Sequence, residues 1–267
     1  MIDVSQAETF QFDAQGFVVL RGVLSEAECA HYRAELETMF SQDFDAPDRT
    51  THESLLLRRS QRRINGLIWN KAFHPIIDNP QVVARLREWM TDPQLINSWA
   101  IDKPEGSEWG FWHRGLEPHD YRVSRGKIHT QMLNCIYFLT DNGPDDGCVL
   151  VVPGAHKSEF DLDPADYTNA EYPGTLRVTG KAGDVVLFTE TLIHNGANKT
   201  TPGNRTNLYF NWVDAGYSGL LKRAAPGQSY HNFILSPEIR AGMNDEQRNL
   251  TRWMDWVRPE SASTSAG

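Results

Sequence analysis

Cysteine is scarce, with three in 267 residues: Cys29, Cys135 and Cys148. The number is odd and the spacings wide, which excludes a fully paired disulfide framework and the close pairs of a zinc site. Three buried thiols in a reducing cytoplasm are expected. No apolar run approaches the roughly 20 residues needed to span a bilayer. The first ten residues, MIDVSQAETF, are polar and acidic, unlike a secretory signal. Positive charge is also in deficit. Lys and Arg number 26 against 35 Asp and Glu, a formal net charge of −9. With no basic stripe, polymeric nucleic acid and anionic membranes are poor partners, and a small-molecule substrate is the expectation. Internal repeats and interior linkers are missing too. One domain is therefore expected over residues 1–258, followed by a disordered Ser/Ala-rich tail at 259–267.

What is present is a chain with 40% hydrophobic and 10% aromatic residues, enough for a sizeable core. Phe17–Leu20 reads as a buried strand after Gly16. Ser25 and Glu28 form a capping box for a helix to about Ser41. Residues 42–54 read as a loop. Pro80 opens a second helix, to about Met90. Leu95–Ile101 has strand character. From Thr130 onward short β-rich runs dominate: Gln131–Leu139, Val149–Val152, Val185–Phe188 and Thr206–Val213. Each is bounded by Gly, Pro, Asn or Asp. Asp184 is expected to close the turn at Gly183. One more helix is expected over Asp245–Val257. The pattern is a mainly β protein with flanking helices, in a sandwich or jelly roll.

Among nine histidines, His113 and His194 stand out by position. His113 follows the aromatic run Trp109-Gly110-Phe111-Trp112. His194 closes the apolar segment from Gly183, and Arg205 lies 11 residues beyond it. The order WHRG (112–115), LTDNGPDDGCVLVVPGAHK (139–157), AGDVVLFTETLIHNGANKT (182–200) and NRTNLYF (204–210) resembles the phytanoyl-CoA dioxygenase branch of the Fe(II)/2-oxoglutarate oxygenases. FDAQGFVVLRGVLSEAE (12–28) fits the same family's opening. The resemblance implies a double-stranded β-helix (cupin-like jelly roll), with Fe(II) on His113 and His194 and with O₂ and 2-oxoglutarate as cosubstrates. It implies that Arg205 grips the far carboxylate of 2-oxoglutarate, as a planar guanidinium fork can. Asn97, Gln131 and Thr191 are candidate supporting contacts for the keto acid or the iron.

The chain departs from the family pattern at Gly115. Most such oxygenases carry Asp or Glu two residues after the first histidine, whereas related halogenases carry Ala or Gly and bind chloride in the vacated position. The leading expectation is accordingly a halogenase, with Gly115 part of the catalytic constellation and chloride a cosubstrate. A hydroxylase drawing its third ligand from water, Glu117, Asp120 or Glu190 is the alternative. A non-catalytic binding module is the third reading. For the substrate, the four arginines Arg58, Arg59, Arg62 and Arg63 form a local positive field in an acidic chain. Their other reading is a solvated helix face held in ion pairs. With His119, Arg122, Arg125 and Lys127, they suggest an anionic, possibly nucleotide, substrate. Trp112, with Trp69, Trp109 and Phe111, is a candidate for stacking on its ring.

Overall fold

The computed structural model describes residues 2–41, 55–58, 61–108, 110–168, 170–217, 235 and 237–252, with backbone alone at 55–58. The expected loop at 42–54 and the tail lie outside these residues; the helix expected over Asp245–Val257 is shorter, Asp245–Leu250, ending at a cap on Thr251. Twelve strands are described: β1 (Phe17–Leu20), β2 (Leu55–Arg58), β3 (Gln61–Asn65), β4 (Pro93–Lys103), β5 (Tyr121–Ser124), β6 (Lys127–Thr130), β7 (Met132–Phe138), β8 (Val149–Val151), β9 (Leu176–Val178), β10 (Val185–Thr189), β11 (His194–Gly196) and β12 (Arg205–Asp214). An antiparallel seven-stranded sheet runs β1-β10-β7-β12-β4-β3-β2, a three-stranded sheet runs β11-β8-β9, and β5-β6 form a hairpin. No described helix is long and apolar enough to cross a membrane.

The period-2 alternation of the central strands sorts side chains between two cores. On β12, Leu208, Phe210 and Trp212 join Leu133, Cys135, Tyr137, Val185 and Leu187 under the helices. The alternate set, with Tyr209, Ile136, Phe138, Val186 and Phe188, faces the smaller sheet and packs against Leu150 and Val151. The space between the two sheets is where β12 places Arg205, Asn207, Tyr209 and Asn211. This is the mainly β jelly roll that the sequence implies.

The helices pack on the outer face. Helix α1 (Gln6–Gln15) is capped by Ser5 and ends at Gly16, whose φ of 82° suits glycine. Sequence reading missed it because Phe12 is its one buried residue. Phe12 stacks on Trp89 with centroids 3.9 Å apart. Helix α2 (Glu26–Phe40) carries the expected capping box at Ser25 and Glu28. Helix α4 (Pro80–Trp89), which follows the short α3 (His74–Ile77), starts from Asn79. Asp184 accepts from Lys181 N–H at 2.8 Å, closing the Gly183 turn, and from Gly22 N–H at 2.9 Å. All three cysteines are free and buried.

One expectation is corrected. Arg58 to Arg63 is no helix face: β2 and β3 form a hairpin that extends the large sheet through β4. Alternation then separates its arginines. Arg62 points to the helix side, where it pairs with Asp102 (2.5 Å) and Glu37 (2.9 Å) and lies over the Phe40 ring. Arg63 points to the inner side, with its guanidinium 4.7 Å from the Trp99 ring centroid. Arg62→Ala would leave the buried Asp102 carboxylate short of its cation. A loss of about 1–3 kcal/mol of stability is expected, with substrate binding unchanged. Chemical denaturation beside a binding titration checks both.

Candidate active site

Two chain segments run antiparallel and set the site. The His113 N–H donates to the His194 carbonyl at 3.1 Å, and the His194 N–H returns the bond at 3.0 Å. This reciprocal pair of hydrogen bonds puts the imidazoles side by side, with ring centroids 4.1 Å apart. Each ring is oriented by its own backbone. Nδ1 of His113 lies 2.9 Å from the Phe111 carbonyl, and Nδ1 of His194 lies 2.8 Å from that of Leu192. A carbonyl only accepts, so Nδ1 carries the proton in both rings and Nε2 keeps its lone pair. Burial lowers both pKa values to about 4, and for His113 the neighbouring His194 adds to the effect. At neutral pH the pair is uncharged and has two free imidazole lone pairs. That donor set suits a divalent transition metal, with orienting carbonyls behind it.

The same pairing continues to residue 190. The N–H groups of Gly115 and Leu116 both donate to the Glu190 carbonyl, at 2.8 and 3.1 Å. Glu190 is thereby held opposite Gly115, and its side chain turns into the space that the glycine leaves. A Cβ at position 115 would lie 2.4 Å from Glu190 Oε2, well inside contact distance. The carboxyl is buried. Asn211 Nδ2 donates to its Oε1 at 3.2 Å, and Asn134 is a further hydrogen-bond partner. Burial raises its pKa, against the opposing pull of His113 and the two amides. Among the described residues no three His, Cys, Asp or Glu side chains form a ready-made cage for an ion. The arrangement is two imidazoles with a carboxyl in the same cavity.

Beside this lies a row of amides. Asn97, Asn211 and Asn134 are in register across β4, β12 and β7. All three are buried, and each leaves its Oδ1 without a partner. Gln131 Oε1 is also buried and unpartnered. Buried polar atoms without partners are rare in folded proteins and point to a missing solvent or ligand contact. Further along the inner face Tyr209 stacks on Trp99, with centroids 5.2 Å apart. The Tyr209 hydroxyl accepts from Arg205 Nη1 at 3.0 Å. Arg205 is 4% exposed, donates through Nη2 to the Gly147 carbonyl at 2.9 Å, and leaves Nε unpartnered. No carboxylate pairs with it among the described residues; its acceptors are the neutral Tyr209 hydroxyl and Gly147 carbonyl.

The sequence-derived candidates divide. His113, His194 and Gly115 come together, and Arg205 and Asn97 line the same interior; Gln131 stands just before β7, its N–H donating to the Asp120 carbonyl, and is not brought to them. Thr191 does not: its hydroxyl lies 3.0 Å from that of Thr189, which in turn bonds Thr130. Trp112 is core, 3% exposed, its indole N–H donating to the Ala170 carbonyl at 2.9 Å and its ring against Tyr172. His119 is exposed on a surface turn. Glu117 and Asp120 cap that same turn, Asp120 accepting from the Glu117 N–H at 3.3 Å, which removes both as third-ligand candidates. Arg62 is consumed by ion pairs. Arg59, Trp109 and the Arg58 side chain lie outside the described residues. Sequence reading missed Asn134, Asn211, Trp99 and Tyr209. The alternation in RTNLYFNWV, once keyed to Arg205 facing inward, would have found Tyr209 and Asn211.

The phytanoyl-CoA dioxygenase (PhyH) family pattern matches residues 12–207. The ectoine dioxygenase of Nocardia farcinica is 24% identical over 242 residues, covering 79% of each chain. That of Bordetella bronchiseptica is 25% identical over 237 residues, covering 78% of this chain and 74% of its own. HygX from Streptomyces hygroscopicus, solved with nickel and 2-oxoglutarate bound, superposes with a TM-score of 0.68 at 22% identity. The superposition covers 80% of this chain and 89% of that one.

Proposed function

Since the chain belongs to the phytanoyl-CoA dioxygenase family and is an Fe(II)/2-oxoglutarate-dependent oxidoreductase, we propose that it hydroxylates an unactivated C–H bond of a small polar molecule. His113 and His194 would hold Fe(II), each through the Nε2 that its Nδ1–carbonyl bond leaves free. Bound there, the metal with 2-oxoglutarate and O₂ supplies the oxidising power for C–H attack. The rest is the protein's own work. Arg205 takes the far carboxylate of the keto acid, with Tyr209 fixing one arm of the guanidinium and the Gly147 carbonyl another. The Asn97, Asn134 and Asn211 amides offer neutral hydrogen-bonding groups to ligand oxygens and hydroxyls. Phe188 packs against His194 with centroids 4.7 Å apart, keeping one side of the metal site apolar.

Hydroxylation displaces chlorination as the leading reading on one observation. The space beside Gly115 that a chloride would need is filled by the Glu190 carboxyl. A carboxylate there repels a halide and leaves it little volume. The relatives, ectoine dioxygenases, agree with an oxygenase. They also make ectoine the first substrate to try. Of the cluster's arginines with described side chains, Arg62 and Arg63, the latter lies on the inner face beside Trp99, and an anionic substrate now rests on it.

The test uses the wild-type enzyme with Fe(II), 2-oxoglutarate and O₂, with and without high chloride, against ectoine and a panel of small polar and phosphorylated compounds. Mass spectrometry of a true substrate should show a gain of one oxygen, and no chlorine isotope pattern at any chloride concentration. A chlorinated product would return the halogenase to first place. Absence of 2-oxoglutarate turnover with every compound, despite bound iron, would favour the binding module.

A further inference from the structure

We propose that Glu190 becomes the third protein ligand when the metal binds, its carboxyl turning from the asparagine amides to an ion on His113 and His194, since without the ion the three side chains do not converge as a ligand set among the described residues. The inference rests on the reading of the preceding section and deepens it. In the family pattern the carboxylate stands two residues after the first histidine. Here a glycine stands there, and its missing side chain is replaced in space by a carboxyl from a segment 75 residues away.

Three observations carry this. First, the backbone fixes the placement: the Glu190 carbonyl accepts from both Gly115 and Leu116, so residue 190 is locked opposite residue 115, four residues before His194. Second, the glycine makes the room. A Cβ at 115 would run into Oε2 and meet Cβ and Cδ of Glu190 at 3.3 Å, so the carboxyl could not stay where it is. The φ at Gly115 is not positive, so backbone conformation does not demand glycine; the close approach of Glu190 is what uses it. Third, the carboxyl is buried without a counter-cation. Its hydrogen-bond partners are the neutral amides of Asn134 and Asn211, and no lysine or arginine pairs with it among the described residues. A fully buried carboxylate without a cation is costly. A divalent ion on His113 and His194 would supply the missing positive charge and accept the carboxylate as a hard ligand.

The purely structural alternative is a neutral carboxylic acid bonded to the two asparagines. The two readings differ in what happens when charge is removed at constant shape. Metal-free wild type, Glu190→Gln and His194→Ala are titrated with Mn(II) by calorimetry without 2-oxoglutarate, and their Co(II) absorption spectra are compared. Glu190→Gln should bind Mn(II) at least about ten-fold more weakly, since even groups behind the ligands command about 10–100-fold. Its Co(II) spectrum should change, and chloride should now perturb that spectrum as it does not in wild type. A second pair guards against misfolding: Glu190→Ala, and Glu190→Ala combined with Gly115→Asp, which moves the carboxylate back to the family position. The double variant should recover Mn(II) affinity over the single one.

Wild-type affinity and spectrum in Glu190→Gln, with His194→Ala unable to bind, would overturn the ligand role while leaving the two-histidine site standing. A folded double variant no better than Glu190→Ala would count against it in the same way. Wild-type binding by His194→Ala would remove the metal site itself, and with it both the inference and the reading beneath it.

Discussion

Replacing His194 by alanine is expected to abolish metal loading, and with it all 2-oxoglutarate turnover. The reason is the economy of the donor set. Only two imidazoles converge, and their geometry is imposed by a reciprocal pair of backbone hydrogen bonds rather than by the ring contacts. Losing one leaves a single imidazole and the Glu190 carboxyl, too few ligands to compete with water. Each ring is also prepared for coordination before metal arrives: Nδ1 is tied to a carbonyl, and burial keeps the ring neutral down to about pH 4. His113→Ala should behave alike, because its Nδ1 is tied in the same way to Phe111. Metal content by elemental analysis after reconstitution is the measurement, with a loss of at least two orders of magnitude in affinity expected, beyond the roughly 10–100-fold of groups behind the ligands. Near-stoichiometric iron in either variant would mean that the pair is not the site.

How much of this was legible in the sequence depends on whether the signal was local. Five strands of the large sheet, β1, β4, β7, β10 and β12, were readable because each is rich in β-branched and aromatic residues; β2 and β3, LLLR and QRRIN, lack that signature and were not. The Ser25–Glu28 capping box is a four-residue signature and appeared as expected. The two histidines and Arg205 were found by spacing within a family resemblance. What was not legible is what depends on pairing between distant segments. Glu190 stood as one of three third-ligand candidates, and nothing in the sequence separated it from Glu117 and Asp120. The register that sets it opposite Gly115 exists only once 113–116 pairs with 190–194. The asparagine row has the same origin, since Asn97, Asn134 and Asn211 become neighbours only through strand order β7-β12-β4. The arginine cluster failed for a related reason. Four arginines in six residues look like one positive patch, but a strand sends neighbours to opposite faces, so Arg62 and Arg63 have different fates.

Arg205→Ala is expected to raise the apparent KM for 2-oxoglutarate by about 30-fold to a few thousand-fold, the range for losing one partner of a buried charge pair at about 2–5 kcal/mol. The residue stands at the start of β12, paired in register with Lys103 of β4, and its side chain runs along the inner face to Tyr209. Two of its three nitrogens are held by neutral acceptors, which orient the fork without neutralising it. The charge is therefore kept for a ligand anion, and Nε, lacking any partner, has a donor to spare. Truncation would remove that charge but leave Tyr209 stacked on Trp99, so the fold should persist. The discriminating readout is a split. The KM for 2-oxoglutarate should rise steeply, while affinity for Mn(II) measured without the keto acid should stay near wild type, because neither imidazole nor Glu190 touches Arg205. Tyr209→Phe should show the same split on a smaller scale, about 1 kcal/mol or several-fold, since it loosens the guanidinium without discharging it. An unchanged KM in Arg205→Ala would shift carboxylate binding to another cation on the inner face, with buried Lys103 on the neighbouring strand the first to test. A parallel loss of Mn(II) affinity would instead show that Arg205 supports the fold of the metal site rather than the cosubstrate.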